Sequence, residues 1–364
     1  MSKIHIVLPY REGFGAEHFG AVALCVRDFT LHSRYRDNIS IFGGVDVTPF
    51  EGMPYEYLPV QKNLISSGSK NYATSVIERI NAEKPDLVEV HNRPNLAHLI
   101  RKGWTGKLAL HIHNDPLTIR GAGTAKERES LIKLCDVIYC VSGFIKEQFC
   151  DGVRGDTSKV RVAYNGFAVP KTPPKNKEKH LLFIGRLQQE KGSLEFAQAL
   201  REILPNHPDW KAIFIGASRH QHEPDIKMSA YEQQLNNTVT PFGNQVELRG
   251  YCLHKETLSA LAAAEILVVP SQCNEAFGCA ALEGMAHGCA VLSTTRGGLR
   301  EVMGDGGHLM EDATVETIAD GLTKLINNRD YRQDLQQRAI KQAQRYDILK
   351  TTHALDELRA SLLA

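Results

Sequence analysis

The chain lacks an excess of either charge: its 364 residues carry 43 Lys plus Arg against 42 Asp plus Glu, a net charge of +1. The balance is also local, with 21 basic and 18 acidic groups in residues 1–170 and the other 22 and 24 in residues 171–364. Neither half has the basic surplus of a nucleic-acid binder, and no long block of like charge exists, so nucleic acid is not an expected partner. Long apolar runs are missing too. None approaches the roughly 18 residues that a membrane span needs, and the apolar stretch after Lys3 is too short for a signal peptide. Eight cysteines are present without one C-x-x-C pair, which removes the common zinc and dithiol spacings. Several, such as Cys135 and Cys140, lie in apolar runs, so buried, reduced thiols and a cytoplasmic location are expected. A Walker loop is absent. With 42% apolar and 23% charged residues the chain is neither disordered nor fibrous, and its length suits two domains.

What is present is an alternation. Short β-branched apolar runs at 4–8, 39–42, 87–90, 108–112, 137–141 and 160–163 read as buried strands. Between them lie amphipathic stretches such as 71–82, where Tyr72, Val76, Ile77 and Ile80 share one helical face. Buried strands alternating with helices imply a parallel sheet covered on both sides. A polar, Pro-rich segment at 170–179 interrupts the pattern and reads as a linker and hinge. The alternation then restarts, with strands at 181–184, 212–215, 246–248, 266–269 and 290–292 and helices at 193–204, 255–264 and within 331–363. The fold class expected is α/β, with two doubly wound Rossmann-like domains, 1–169 and 170–346, facing across a cleft. Ligands of such sheets bind beyond the carboxyl ends of the strands, so the loops that follow strands carry the information.

Five of these loops hold candidate chemistry. After the first strand, Gly13 and Gly15 allow close backbone approach to an anion or a sugar, or simply make a tight turn. His111 and His113 fall on one face of a strand; His113, at its mouth, suits a hydroxyl contact, while His111 reads as core. No third zinc ligand stands beside them. The turn Gly185-Arg186 to Lys191-Gly192 places two cations before a helix, which suits a diphosphate. The run from Pro270-Ser271 through Glu275, Ala276, Phe277, Gly278 and Cys279 to Glu283 is the most informative. Gly278 opens a helix whose first amides can hold a pyrophosphate, and Glu283 can accept from a ribose diol. The turn Gly297-Gly298…Glu301 after the next strand can line the same pocket. The basic group Arg101, Lys102 and Lys107 reads as a solvated face.

Together, Pro270-Ser271, the Glu275-x7-Glu283 spacing, the Gly185-Arg186…Lys191-Gly192 turn and Gly297-Gly298…Glu301 resemble the signature of glycosyltransferase family 4. The order and spacing of these elements match over nearly the whole chain, and Pro85…His91 and Asn165-Gly166 agree with it. The resemblance implies retaining transferases of the GT-B fold, with the final helix, about 347–364, returning to the N-terminal domain. It implies a nucleotide sugar held mainly by the second domain and a glycan or lipid-linked acceptor held mainly by the first. Carried over, Arg186 and Lys191 neutralise the diphosphate and Glu283 holds the ribose. Glu275, Ala276, Phe277 and Gly278 meet the sugar and phosphates. His113 contacts the donor sugar, and Arg249-Gly250-Tyr251 cradles the base. The chain departs from the family's first loop, often Gly-Gly-x-Glu, by reading Gly13-Phe-Gly15-Ala-Glu17, and it has Asn114-Asp115 where His-Asp is frequent.

The expected activity is therefore transfer of a sugar, from a UDP-sugar before other donors, to a hydroxyl, plausibly in lipopolysaccharide or surface polysaccharide synthesis. No cofactor and no metal are expected, and a lipid-linked acceptor would bring peripheral contact with the inner membrane surface. The competing readings are a GDP-mannose-type mannosyltransferase, and a non-catalytic or epimerase-like protein of the same fold.

Overall fold

The computed structural model describes residues 2–59, 68–174, 176–218 and 228–364. Two compact units emerge, Met1–Gly166 with Ile348–Ala364, and Phe167–Asp347. In the first, seven parallel strands are β1 (Ile4–Val7), β2 (Ile39–Gly43), β3 (Tyr55–Tyr57), β4 (Leu87–His91), β5 (Lys107–Ile112), β6 (Val137–Cys140) and β7 (Val160–Val162). Their order is β3-β2-β1-β4-β5-β6-β7. In the second, β8 (Glu178–Ile184), β9 (Lys211–Ile215), β10 (Val246–Gly250), β11 (Ala264–Val269), β12 (Ala290–Thr294) and β13 (Gly307–Met310) form a six-stranded sheet in the order β10-β9-β8-β11-β12-β13. Every pairing in both sheets is parallel. Both units are thus α/β with a doubly wound sheet.

The central strands are buried on both faces because helices cover both. All four residues of β1 are buried, and β4 is buried from Leu87 to His91. Helix Gly68–Glu83 turns Tyr72, Val76 and Ile80 inward, and the buried Tyr72 hydroxyl satisfies itself on Leu8 O and Phe42 O at 3.2 and 3.0 Å. In the second unit, Phe196 and Leu200 of helix Ser193–Ile203 and Leu322 and Leu325 of helix Val315–Asn327 join one core with Phe183, Phe214 and Val268 of the sheet. All eight cysteines are free, with Cys135, Cys140 and Cys289 buried. Among the described residues no helix is long and apolar enough to cross a membrane.

Several details differ from the sequence reading. β3 and β13 were not anticipated: each is an edge strand, Tyr55–Tyr57 and Gly307–Met310, that is mostly only part-buried and carries no β-branched apolar run. The division falls between Gly166 and Phe167, where 169 and 170 were expected, because Phe167 N donates to Tyr346 O at 3.0 Å inside the second unit. The expected linker, 170–179, belongs wholly to that unit; its Lys175 lies outside the described residues. Lys177 Nζ is anchored on Leu261 O and His287 O at 3.0 and 2.7 Å, and β8 already begins at Glu178. Arg101, read as part of a solvated basic face, is spent internally on Leu134 O, Gly106 O and Asp136 at 2.8–3.0 Å.

The last helix, Ile348–Leu363, packs in the first unit, with Ile348 and Leu355 in its core. Arg359 of this helix forks onto Glu89 of β4 (Nε to Oε1 2.9 Å, Nη2 to Oε2 2.7 Å) and holds Asp356 at 3.0 Å. All three side chains are buried. Burial alone would raise the pKa of Glu89, but the Arg359 charge outweighs it and holds the carboxyl well below its ordinary value. A depressed folded-state pKa stabilises the fold at all pH above the unfolded value of about 4.3, and that contribution is lost only as pH falls through the lower folded value. Arg359→Met leaves a buried carboxylate unpaired and is expected to cost about 3–5 kcal/mol at pH 7 by urea unfolding, whereas the double change Glu89→Gln/Arg359→Met recovers part of that loss.

Candidate functional site

The second sheet changes winding direction between neighbours β8 and β11: the chain leaves β8 toward β9 and leaves β11 toward β12. The loops beyond their carboxyl ends are the two singled out in the sequence. They are stitched together, since Glu190 O accepts the amides of Gln272 and Cys273 at 2.9 and 3.3 Å. Gly192 has φ +71°, and a Cβ there would collide with Pro270 O, so close contact of the loops requires glycine. Lys191 Nζ then reaches Glu275 Oε1 at 2.5 Å, and Ser271 Oγ donates to the same oxygen at 2.6 Å. Both partners of the ion pair are half-buried. Glu275 Oε2 makes no hydrogen bond among the described residues. Ser271 stood in the motif without a role; its backbone O takes Thr294 Oγ1 at 3.0 Å.

The third loop backs this pair. Glu275 bridges to Gly297, and Gly298 N donates to Glu275 O at 2.7 Å. Gly297 has φ +62°. Gly278, at φ +106°, starts helix Cys279–Ala286 with no side chain capping it. The partial positive end of that helix therefore follows Glu275 directly. Cys279 is its first residue, and Glu283, one turn on, shares its face. The Phe277 ring is buried edge-on against Tyr346, so only its backbone can meet a ligand.

Not every expected residue joins this group. Arg186 is largely exposed, with Glu190 3.7 Å away. Arg249 forks onto Glu247 at 3.0 Å, which neutralises it, while Gly250 (φ +67°) ends β10 with its carbonyl on Gly216 N at 2.8 Å. Tyr251 follows it, half-buried.

In the first unit the winding changes between β1 and β4. The loop after β1 does not lead straight into a helix, which begins only at Ala21. Instead Phe14 bridges to Phe19 and stacks on Tyr55 at 5.4 Å. Gly15 N is spent on His18 O at 3.1 Å, so it is not the free donor expected; glycine is needed at 15 because a Cβ would strike Thr48 O. At Gly13 a Cβ would meet His18 O at 2.5 Å.

The carboxyl ends of β4 and β5 hold a stack of imidazoles. His91 and His111 lie 4.1 Å apart with planes 10° from parallel, and His91 Nδ1 is 3.0 Å from His113 Nε2. His91, from β4, is the neighbour the sequence did not supply beside His113. The three rings bring nitrogen atoms within 4.8 Å of one another. They do not suit a metal: imidazole lone pairs lie in the ring planes, and those of two parallel stacked rings cannot converge on one ion. Burial, with His111 beside it, lowers the His113 pKa to about 3, so the ring is neutral. Burial likewise holds His91 well below the ordinary value. Asn92 takes the left-handed conformation (φ +53°), its amide on His111 O at 2.7 Å and its Oδ1 accepting His113 N at 3.2 Å.

With this geometry, the chain can be placed among known proteins. Residues 167–342 match the family described as Glycosyl transferases group 1, and residues 44–169 match Glycosyltransferase Family 4. The chain is 24% identical over 391 residues to a D-inositol 3-phosphate glycosyltransferase of Corynebacterium urealyticum, covering 95% of this chain and 88% of that one. It is 23% identical over 278 residues to the lipopolysaccharide 1,2-N-acetylglucosaminetransferase of Salmonella typhimurium, covering 71% and 68%. The crystal structure of Anabaena Alr3699/HepE in complex with UDP and glucose superposes with a TM-score of 0.79 at 20% identity, over 99% of this chain and all of that one. The protein is a glycosyltransferase with the two Rossmann-like domains of the GT-B fold. It belongs to glycosyltransferase family 4, within the group 1 glycosyl transferases.

The stitched loops carry a direct expectation. Gly192→Ala forces a Cβ against Pro270 O at a left-handed position and should lower stability by about 1–3 kcal/mol in urea unfolding. A crystal structure of the variant should show Lys191 displaced from Glu275.

Proposed function

We propose that the chain moves a glycosyl group from a nucleoside diphosphate sugar, a UDP-sugar before others, to a hydroxyl of a glycan or lipid-linked acceptor, with retained anomeric configuration and without a metal cofactor. The observation that carries this reading is the gathering of Lys191, Glu275 and the glycine-opened start of helix Cys279–Ala286 at the β8/β11 switch point. A pyrophosphate needs a cation and oriented amides; both stand there. The UDP and glucose bound to Alr3699/HepE support the same donor class. The Salmonella relative's name supports a lipopolysaccharide or surface glycan acceptor, which, when lipid-linked, brings the first unit to a membrane surface.

In this reading Lys191 exchanges its carboxylate partner for a diphosphate oxygen, and Glu275, released from it but still held by Ser271, orients sugar hydroxyls. Arg186, exposed and free to swing, adds a second cation. The amides of Ala276, Phe277, Gly278 and Cys279 line the phosphates, and Glu283 accepts from the ribose. The base rests on Gly250 and Tyr251, since Arg249 already serves Glu247. His113 meets the donor sugar. The anomeric carbon loses its bond to the diphosphate oxygen and gains one to the acceptor oxygen on the same face. The departing phosphate oxygen takes the acceptor's proton. Lys191, Arg186 and the helix start stabilise the charge that develops on it.

Three measurements test this. UDP at about 100 times its Kd should raise stability by about 2.7 kcal/mol in a thermal-shift panel against GDP and ADP; a larger shift with GDP favours the mannosyl reading. Lys191→Ala should lower kcat by about 10²–10³-fold, and near-normal turnover removes the diphosphate assignment. Turnover should persist in EDTA, with the product's anomeric NMR coupling matching the donor's; nucleotide release without an alcohol acceptor points to a hydrolase instead.

A further inference from the structure

The stack behind His113 has a feature that transfer of the sugar leaves unexplained. His113 Nε2 faces His91 Nδ1 at 3.0 Å. The His113 ring is half-buried, and its Nδ1 makes no hydrogen bond among the described residues. His91 is buried, and its Nε2 has no hydrogen-bond partner among the described residues. Behind His91, the His111 ring stacks on it, and His111 Nε2 lies 3.5 Å from Glu89 Oε2, the carboxylate braced by Arg359.

Two neutral imidazoles facing each other through nitrogens share one proton. Were His91 the acceptor, its own proton would sit on Nε2, a buried N–H with nothing to receive it, which native structures avoid more strictly than a bare acceptor. His91 therefore donates from Nδ1. His113 Nε2 must then be bare, and the proton of the neutral His113 ring must sit on Nδ1, the nitrogen that faces away from His91.

We propose that His91 is a positioning residue that locks His113 in its Nδ1–H tautomer, so that His113 meets the donor sugar as a hydrogen-bond donor to one of its oxygen atoms. The sugar contact rests on the function proposed above; the tautomer does not. The stack sets the ring's angle, because His91 is clamped between His111 on its face and His113 at its edge. A partner bonded to one nitrogen of an imidazole fixes which nitrogen acts, and its loss changes the protonation pattern without removing the ring.

The test uses the full chain with ¹⁵N-labelled histidine. Long-range ¹H–¹⁵N spectra at neutral pH, with His113 assigned by its loss in His113→Ala, should show the His113 proton on Nδ1. His91→Phe keeps a ring on His111 but deletes the donor, and should move His113 to the Nε2–H form or a mixture. His91→Asn returns an N–H near the lost Nδ1 and should restore the wild-type pattern. In parallel, His91→Phe should lower kcat/KM for UDP-glucose by about 10-fold while the Kd for UDP alone changes by less than about 2-fold. A His113 proton on Nε2 in the wild type overturns the proposal, and that spectrum decides alone if His91→Phe does not fold. An unchanged His113 tautomer in His91→Phe also overturns it. Unaltered kcat/KM in His113→Ala removes the sugar contact, and with it the proposed function of that residue, while the spectra still judge the tautomer.

Discussion

The structure depends on a winding constraint. A parallel sheet cannot turn back on itself in a short loop, so each βα connection must run on to a neighbouring strand on one side or the other. Where the chain switches sides, at β1/β4 and at β8/β11, two loops part and leave strand ends uncovered. Backbone amides and polar side chains collect there because nothing apolar fills the space. In the second unit the two parting loops are sewn back together by Glu190 O, at a closeness that only a left-handed glycine at 192 permits. Lys191 stands beside that stitch, and its direction follows from it.

The two units handle charge at these points in opposite ways. In the second, Lys191 and Glu275 are half-buried and bonded to each other. Opposite charges close to water exchange partners at small cost, which suits the uptake and release of a diphosphate proposed for this site. In the first, the charges are withdrawn from water: Glu89, Arg359 and Asp356 are buried and locked in a network that ties the last helix to β4. His91 and His113, in front of that network, are kept neutral by burial. A neutral ring discriminates by which nitrogen bears its proton, a property set by hydrogen bonds and insensitive to ordinary changes of pH. One unit thus holds exchangeable charge and the other fixed hydrogen-bonding direction.

The glycines show why a motif can be right in place and different in reason. Gly278 and Gly297 occupy left-handed positions beside Glu275, where a Cβ would strike Leu299 and Glu275 O. Gly15 serves its own turn: its amide closes on His18 and its missing Cβ makes room for Thr48 O. Family spacing alone does not separate these cases, because both read as small residues after a strand.

Much of this protein was legible in its sequence. The alternation of apolar runs with amphipathic stretches determined two α/β units, since a strand buried on both faces has no polar side to display. The clustering of Lys191, Glu275 and Gly278 was also readable, because each directly follows a strand and the order of strands in a doubly wound sheet brings such ends together. Edge strands β3 and β13 were not, since they are mostly part-buried and have no β-branched apolar run. Only the tertiary structure decided which partner each polar group takes. It gave Lys191 to Glu275 and Arg249 to Glu247, and it turned Arg101 inward. It also set His91 against His113 and joined Glu89 to Arg359, 270 residues apart in the chain. Such pairings depend on distances across strands and helices that are remote in sequence, and periodicity, which records only which face of an element is buried, carries no information about them.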